Sequence, residues 1–87
     1  SNPKILILDE PTSSLDPESE KEFEKIFFSL KDNLNITILI ISHSLGLVSN
    51  ADQIIVLNQG RIESTGKHTD LLNSSSWYKK AWNIQKK

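Results

Sequence analysis

Two adjacent carboxylates, Asp9 and Glu10, directly follow the apolar run Ile5–Leu8. A continuous apolar run of this length is typical of a strand that is buried on both faces, as in a parallel sheet. In open α/β sheets, ligands bind just beyond the carboxyl ends of the strands. Because an unpartnered carboxylate is costly to bury, the pair indicates a cation, a water molecule or a ligand nearby. For these two residues alone, a strand that ends in two solvated acids is the simpler explanation.

A histidine follows a second apolar run in a similar way. The run Ile36–Ile41 ends in Ser42-His43-Ser44. A lone histidine after a strand is more often a structural residue than a reactive one. If the two runs are neighbouring parallel strands, His43 comes to the same edge of the sheet as Asp9 and Glu10.

The segment between the two runs predicts a helix. Asp16 is a favoured N-cap residue and Pro17 a favoured first helical residue, and Glu18 and Glu20 lie near the positive end of the helix dipole. Four apolar residues at spacings i, i+3, i+4 and i+7 form one stripe of a helix that runs to about Asp32: Phe23, Ile26, Phe27 and Leu30. A strand, a helix and a second strand predict a parallel βαβ core.

The second half of the chain predicts shorter elements. An antiparallel hairpin is expected around Asn58-Gln59-Gly60, because residues of these types favour tight turns. The other predicted elements are a short helix over Leu45–Asn50, hairpin strands over Gln53–Leu57 and Arg61–Ser64, a helical turn over Thr69–Leu72 and a terminal helix over Trp77–Gln85 capped by Ser76. The predicted fold class is therefore α/β, with a parallel βαβ core, a C-terminal antiparallel hairpin and terminal helices.

The composition is that of an ordinary soluble domain. The 87 residues are 37% hydrophobic and 24% charged with a net charge of −1, so no basic surface for nucleic acid is expected. The absence of cysteine excludes disulfides and cysteine-based zinc sites, and it fits a reducing compartment. The longest apolar run is far shorter than the about 20 residues that span a bilayer.

Three linked stretches of the chain carry a resemblance to a known family. They are ILILDEPTSSLD at residues 5–16, the strand that ends in Ser42-His43, and ADQIIVLNQGRI at residues 51–62. In order and spacing they resemble the Walker B motif and D-loop, the H-loop, and the following strand pair of the ATP-binding cassette (ABC) ATPases. The resemblance covers nearly the whole chain and implies a partial P-loop NTPase fold. It also implies that residues 1–87 form the C-terminal part of a nucleotide-binding domain, from Walker B to its C-terminus.

The resemblance assigns roles in ATP hydrolysis to six residues. Glu10 and His43 are implied to be catalytic: Glu10 would polarise the attacking water, and His43 would be the switch histidine that contacts the γ-phosphate. Asp9 is implied to hold Mg²⁺, through water. The other implied nucleotide-site residues lie in the D-loop, which in the family runs along a dimer interface: Ser13, Ser14 and Asp16. The implied cofactors are ATP and Mg²⁺.

Other motifs of the family do not occur in these 87 residues. Walker A, the glutamine loop and the signature motif precede Walker B in the family, and none of them is found here. The stretch Gly60–His68 resembles a phosphate loop, but it has one residue too many and His68 replaces the hydroxyl that binds Mg²⁺. We expect a turn and a strand end there. The isolated chain is therefore expected not to hydrolyse ATP and, with apolar strand faces and edges uncovered, to self-associate.

The resemblance is strongest to transport ATPases, and the ending at residues 77–85 is similar to exporters. It implies two partners, a second nucleotide-binding domain and the transmembrane domains, at the cytoplasmic face of the plasma or inner membrane, with the 87-residue chain itself soluble. Pro11 and Ser44 depart from the usual exporter pattern, which leaves an importer or a separate ATPase subunit open. Two further alternatives are a non-transport ABC ATPase of the translation or DNA-repair type, and a fragment with only a structural or interaction role.

Overall fold

A computed structural model describes residues 4–33 and 36–86 of the chain. These residues form two compact units, which divide between Ser44 and Leu45. Each unit has its own two-stranded sheet. The link between the predicted helix and the second predicted strand falls partly outside the described residues.

The first unit is a strand–helix–strand arrangement. Its elements are β1 (Ile5–Asp9), α1 (Pro17–Lys31) and β2 (Thr37–Ile41). The two strands are parallel, in a register that runs from Ile5 opposite Thr37 to Asp9 opposite Ile41. This confirms the predicted βαβ order and places the carboxyl ends of both strands at one edge. The second strand begins one residue later than predicted, at Thr37.

The start of α1 follows from its local sequence. The Asp16 backbone is extended, and its Oδ1 accepts a hydrogen bond from the backbone N–H of Ser19 at 3.1 Å. This bond satisfies one of the donors that a helix N-terminus leaves without an intrahelical partner. The hydrogen bonds from Ser19 to the ionised carboxylate lower the pKa of Asp16. The predicted N-cap is therefore confirmed.

The prediction that β1 is buried is wrong for the described residues. In a parallel pair, residues in register share a face, so Ile5, Ile7, Leu39 and Ile41 lie on one side of the sheet. They are between 50% and 68% exposed. None of the fifteen residues of α1 is buried, although the rings of Phe23 and Phe27 stack with centroids 6.1 Å apart. The apolar run predicts a face that can be buried, whereas actual burial requires a second layer that the described residues do not place there.

The second unit contains two hairpin strands and three helices. Its elements are α2 (Leu45–Val48), β3 (Ile54–Asn58), β4 (Arg61–Gly66), α3 (His68–Ser74) and α4 (Ser76–Gln85). The hairpin turns at Gln59 and Gly60, which both have positive φ, as a two-residue type I′ turn requires. The stretch that resembled a phosphate loop forms this turn, β4 and the start of α3, as expected. Within the described residues, no helix has the length and apolar character needed to cross a membrane.

The core of the second unit forms where α3 and α4 meet the hairpin. Leu71 and Tyr78 are completely buried, and Leu45, Ile54 and Val56 complete the cluster. The Tyr78 hydroxyl lies 2.8 Å from Nδ1 of His68.

Helix α4 begins one residue earlier than predicted, and its N-cap is Ser75 rather than Ser76. The Ser75 hydroxyl accepts a hydrogen bond from the backbone N–H of Tyr78 at 3.1 Å. Ser75 takes the capping position because its backbone is extended, the conformation that an N-cap needs. The predicted helical turn at Thr69–Leu72 is a seven-residue helix, and α2 is shorter than predicted.

Candidate active site at the ends of the parallel strands

Glu10 and His43 are in contact at the carboxyl ends of the two parallel strands. Nδ1 of His43 lies 2.7 Å from Oε1 of Glu10, although the residues are 33 positions apart in the chain. An ionised carboxylate can only accept, so Nδ1 of His43 is the donor in this pair. The side chain of His43 is 94% exposed and that of Glu10 is 31% exposed. The structure therefore brings together the two residues that the sequence predicts to be catalytic.

The backbone of Glu10 leaves the strand in an unusual conformation. Its φ is +48°, in the left-handed region that residues with a Cβ rarely adopt. Such a conformation costs about 1–3 kcal/mol and persists only where the surroundings fix it. Here the Glu10 N–H donates to the carbonyl of Ile41 at 2.7 Å, and the Glu10 carbonyl accepts from the N–H of Ser13 at 3.3 Å. Both hydrogen bonds hold Glu10 where the strand ends and the next turn begins.

The loop that carries His43 is shaped by its neighbouring serine. The Ser42 hydroxyl accepts a hydrogen bond from the backbone N–H of Ser44 at 2.9 Å. This bond spans His43 and closes a small turn of the kind that serine side chains favour. The sequence alone predicts no role for Ser42. The Ser-x-Ser spacing around the histidine is the signal that could have identified it.

The segment between Glu10 and α1 exposes most of its side chains. Ser13, Ser14 and Asp16, which the resemblance assigns to the D-loop, are all exposed. Thr12 is the exception, with only 4% of its surface exposed, and its hydroxyl donates to Oε2 of Glu20 at 3.0 Å. The sequence predicts no role for Thr12 either, because a single threonine in a polar loop carries no periodic signal.

Asp9 is the last residue of β1, and its side chain is exposed. Within residues 4–33 and 36–86, no group of three or more His, Cys, Asp and Glu side chains is arranged to hold a metal ion. Carboxylate oxygens are nonetheless the ligands that Mg²⁺ prefers. Mg²⁺ usually takes only one or two carboxylates and completes its shell with water and phosphate oxygens. The donor chemistry of Asp9 beside Glu10 therefore fits a magnesium ion of this kind.

This arrangement can position a water molecule for attack. A general base needs a carboxylate within hydrogen-bond reach of the water and partly shielded from solvent. The carboxylate of Glu10 is about two-thirds shielded, and His43 fixes one of its oxygens. The other oxygen is then the one through which Glu10 can accept a proton.

The relatives found by comparison with known proteins are ATP-binding or ATP-dependent transport proteins. The chain is 40% identical over 77 residues to the energy-coupling factor transporter ATP-binding protein EcfA of Malacoplasma penetrans. This match covers 88% of this chain and 27% of that protein. It is 49% identical over 74 residues to the ATP-dependent lipid A-core flippase of Albidiferax ferrireducens, covering 85% of this chain and 12% of the flippase. No family profile matches the chain.

A solved structure shows the same fold. A bacterial Atm1-family ABC exporter with ATP bound superimposes with a TM-score of 0.79 and 34% sequence identity, covering 99% of this chain and 15% of the exporter. The chain thus spans about a quarter or less of the length of these relatives. Their similarity extends over both the parallel strand pair and the C-terminal hairpin and helices.

Proposed function

Since the homologues of this chain are ABC transporter ATP-binding proteins, we propose that it forms the hydrolytic part of the ATPase of an ABC transporter of the exporter type. The contact between Glu10 and His43, at 2.7 Å, is the observation that carries the proposal. The names of the relatives support transport, and the exporter with ATP bound supports the nucleotide as the ligand of this fold.

In this proposal, Glu10 accepts the proton of the water that attacks the γ-phosphate. The bond from His43 keeps the Glu10 carboxylate in one orientation, so that its second oxygen can receive the water. The exposed side chain of His43 extends beyond the strand ends, where it can contact the γ-phosphate. Holding water, base and phosphate together is the main source of catalysis in phosphoryl transfer, because the protein has little covalent chemistry to supply.

Asp9 would hold Mg²⁺ through water in the same proposal. When bound with ATP, the ion neutralises charge that develops on the β- and γ-phosphate oxygens. Asp9 directly precedes Glu10 and ends the strand that pairs with β2, so its backbone lies at the same edge of the sheet as Glu10. The backbone hydrogen bond between Glu10 and Ile41 closes this edge.

The proposed partners are a second nucleotide-binding domain and the transmembrane domains of the transporter, at the cytoplasmic face of the membrane. Ser13, Ser14 and Asp16 would contact the second domain, which is supported by their exposure on a loop adjacent to Glu10. A contact through this loop would place the partner only a few residues from the general base.

The 87 residues alone are proposed to lack ATPase activity. Backbone N–H groups and a lysine of a phosphate loop supply most contacts to the β- and γ-phosphates in this class of enzyme, and no such loop occurs in this sequence. Titration calorimetry of the chain with Mg-ATP should show no saturable binding below the millimolar range.

The proposal is tested in the intact transporter that carries these residues. Glu10→Gln should still bind Mg-ATP with an affinity close to that of the parent, while phosphate release falls by about 10²–10⁴-fold. Glu22→Gln, an exposed position on α1, is the matched control and should leave turnover unchanged. A Glu10→Gln protein that hydrolyses ATP at the parent rate, or micromolar 1:1 binding of Mg-ATP to the 87-residue chain, would contradict the proposal.

A further inference from the structure

Thr12 is the only buried residue in the described part of the first unit. It lies in the polar segment between Glu10 and Asp16, where the other side chains are exposed or half-buried. Its hydroxyl donates to Oε2 of Glu20 across a distance of 3.0 Å. In a unit whose strands and helix are largely exposed, this buried side chain requires an explanation.

Glu20 is a firm anchor for this hydrogen bond. It lies in the first turn of α1, and its backbone N–H donates to the carbonyl of Asp16 at 2.8 Å. The same turn is fixed by the bond from the Ser19 N–H to the Asp16 carboxylate. The Thr12 hydroxyl is therefore attached to the capped end of a fifteen-residue helix.

Thr12 holds the segment between Glu10 and Asp16 through hydrogen bonds of both its backbone and its side chain. The Thr12 carbonyl accepts a hydrogen bond from the N–H of Leu15 at 3.1 Å, so both its backbone and its side chain are held. Two residues upstream is Glu10, whose left-handed backbone is supported by a long hydrogen bond from Ser13, at 3.3 Å. Directly downstream are Ser13 and Ser14. A shift of Thr12 would move the general base and the exposed serines together.

We propose that Thr12 and Glu20 are positioning residues of the hydrolytic site, and that their hydrogen bond couples the placement of Glu10 beside His43 to the conformation of Ser13 and Ser14. This inference rests on the function proposed above and deepens it. Neither residue contacts the reacting atoms in this arrangement. They act by holding the segment through which a partner domain at Ser13 and Ser14 is connected to the general base.

Threonine meets both demands of this position. Its hydroxyl provides the donor to Glu20, while its methyl group fills space that is closed to solvent. Valine keeps the shape of the side chain and removes the donor, whereas serine keeps the donor and removes one methyl group. Loss of the hydroxyl also leaves the Glu20 carboxylate without this partner, which a buried or half-buried polar group tolerates poorly.

The test compares Thr12→Val and Thr12→Ser in the intact transporter, with turnover expressed per nucleotide-binding site. Thr12→Val should lower kcat by about 10- to 100-fold, because small misplacements of reacting groups have effects of this size, while KM for Mg-ATP changes by less than about twofold. Thr12→Ser should keep kcat within about threefold of the parent. Thr65→Val, on the exposed face of β4, is the matched control and should not change either constant.

A second pair of variants covers the case in which Thr12→Val does not fold. Glu20→Met removes the carboxylate that accepts the Thr12 hydrogen bond and replaces it with a side chain of similar length that also favours a helix. This variant should reproduce the loss in kcat expected for Thr12→Val. Glu22→Met on the same helix should not. If both Thr12→Val and Glu20→Met lower the melting temperature yet retain the parent kcat per site, the bond is only structural and the inference is wrong.

The outcome also separates this inference from the proposed function. A parent protein that hydrolyses ATP, loses turnover in Glu10→Gln and keeps it in Thr12→Val overturns the positioning role alone. A parent protein that shows no Mg-ATP hydrolysis overturns both. Loss of kcat in Thr12→Val with rescue in Thr12→Ser supports both.

Discussion

The contact between Glu10 and His43 predicts that the two residues act as a unit in catalysis. Because His43 donates to the carboxylate that would accept the proton of the attacking water, its removal should disturb the same step that Glu10→Gln disables. A double-mutant cycle with Glu10→Gln, His43→Ala and the combined variant measures this coupling. We expect the combined variant to be no slower than the slower of the two single variants.

The expected magnitudes differ sharply between stability and catalysis. His43 is 94% exposed, and an exposed pair of this kind contributes about 0–1 kcal/mol to the free energy of unfolding. For a chain of this size, 1 kcal/mol corresponds to a shift in melting temperature of about 4–8 °C at most. Loss of a general base lowers turnover by about 10²–10⁴-fold, or roughly 3–5.5 kcal/mol in activation free energy. A loss of turnover of this size would exceed what the expected change in the free energy of unfolding could cause.

Two measurements check this prediction. Differential scanning calorimetry of the 87-residue variants gives the effect on stability, and steady-state phosphate release by the proposed full-length transporter gives the effect on turnover. If the residues act independently, the fold losses multiply and the combined variant falls to the product of the two. A multiplicative result would falsify the claim that His43 acts through Glu10. A drop in melting temperature well above 8 °C would show that the contact is mainly structural.

The remaining predictions concern stability and association. Leu71→Ala should lower the free energy of unfolding by about 2–5 kcal/mol, measured by urea denaturation, because Leu71 is completely buried, whereas Leu57→Ala, at 69% exposure, should change it little. Burial raises the pKa of Tyr78. The neutral Tyr78 side chain therefore contributes fully to the free energy of unfolding below about pH 10, and this contribution is lost as the pH rises through the folded-state pKa. Urea midpoints should therefore fall as the pH rises above about 10, and this fall should be smaller in Tyr78→Phe than in the parent. The exposed apolar sheet face predicts self-association at micromolar concentration, and Ile7→Lys should weaken it in sedimentation equilibrium, whereas a parent that sediments as a monomer would contradict it.

The elements that the sequence predicts well are those with local causes. The start of α1 depends on Asp16 and Pro17, and both the N-cap and the first helical residue lie where these residue types favour them. The hairpin turn at Gln59 and Gly60 likewise follows from the residues at the turn. The cap of α4 shows the limit of this reasoning. Ser74, Ser75 and Ser76 are chemically identical, and only the extended backbone of Ser75 decides which of them caps the helix.

The sequence predicts which residues form the site, but not the backbone conformation and hydrogen bonds that hold them in place. The sequence predicts that Glu10 and His43 meet at one edge, because both follow apolar runs that pair as parallel strands. It does not predict the left-handed φ of Glu10, the turn closed by Ser42 or the bond from Thr12 to Glu20. These features depend on single hydrogen bonds between side chains and a loop. Such bonds have no period along the chain and become visible only in three dimensions.

The first unit holds its site mainly through hydrogen bonds, since its described residues include no buried apolar side chain. Hydrogen bonds fix geometry well, but each contributes only about 0.5–1.5 kcal/mol net. Covering the exposed face that carries Ile5, Ile7, Leu39 and Ile41 would therefore add much more free energy to the pairing of β1 and β2. Burial of a side chain of this type contributes about 1.5–3 kcal/mol, so covering four of them outweighs any single bond in the site. The Ile7→Lys change lies two residues from Asp9, or about 6.6 Å along the strand at about 3.3 Å per residue, and should for this reason weaken association without altering the residues that carry the chemistry.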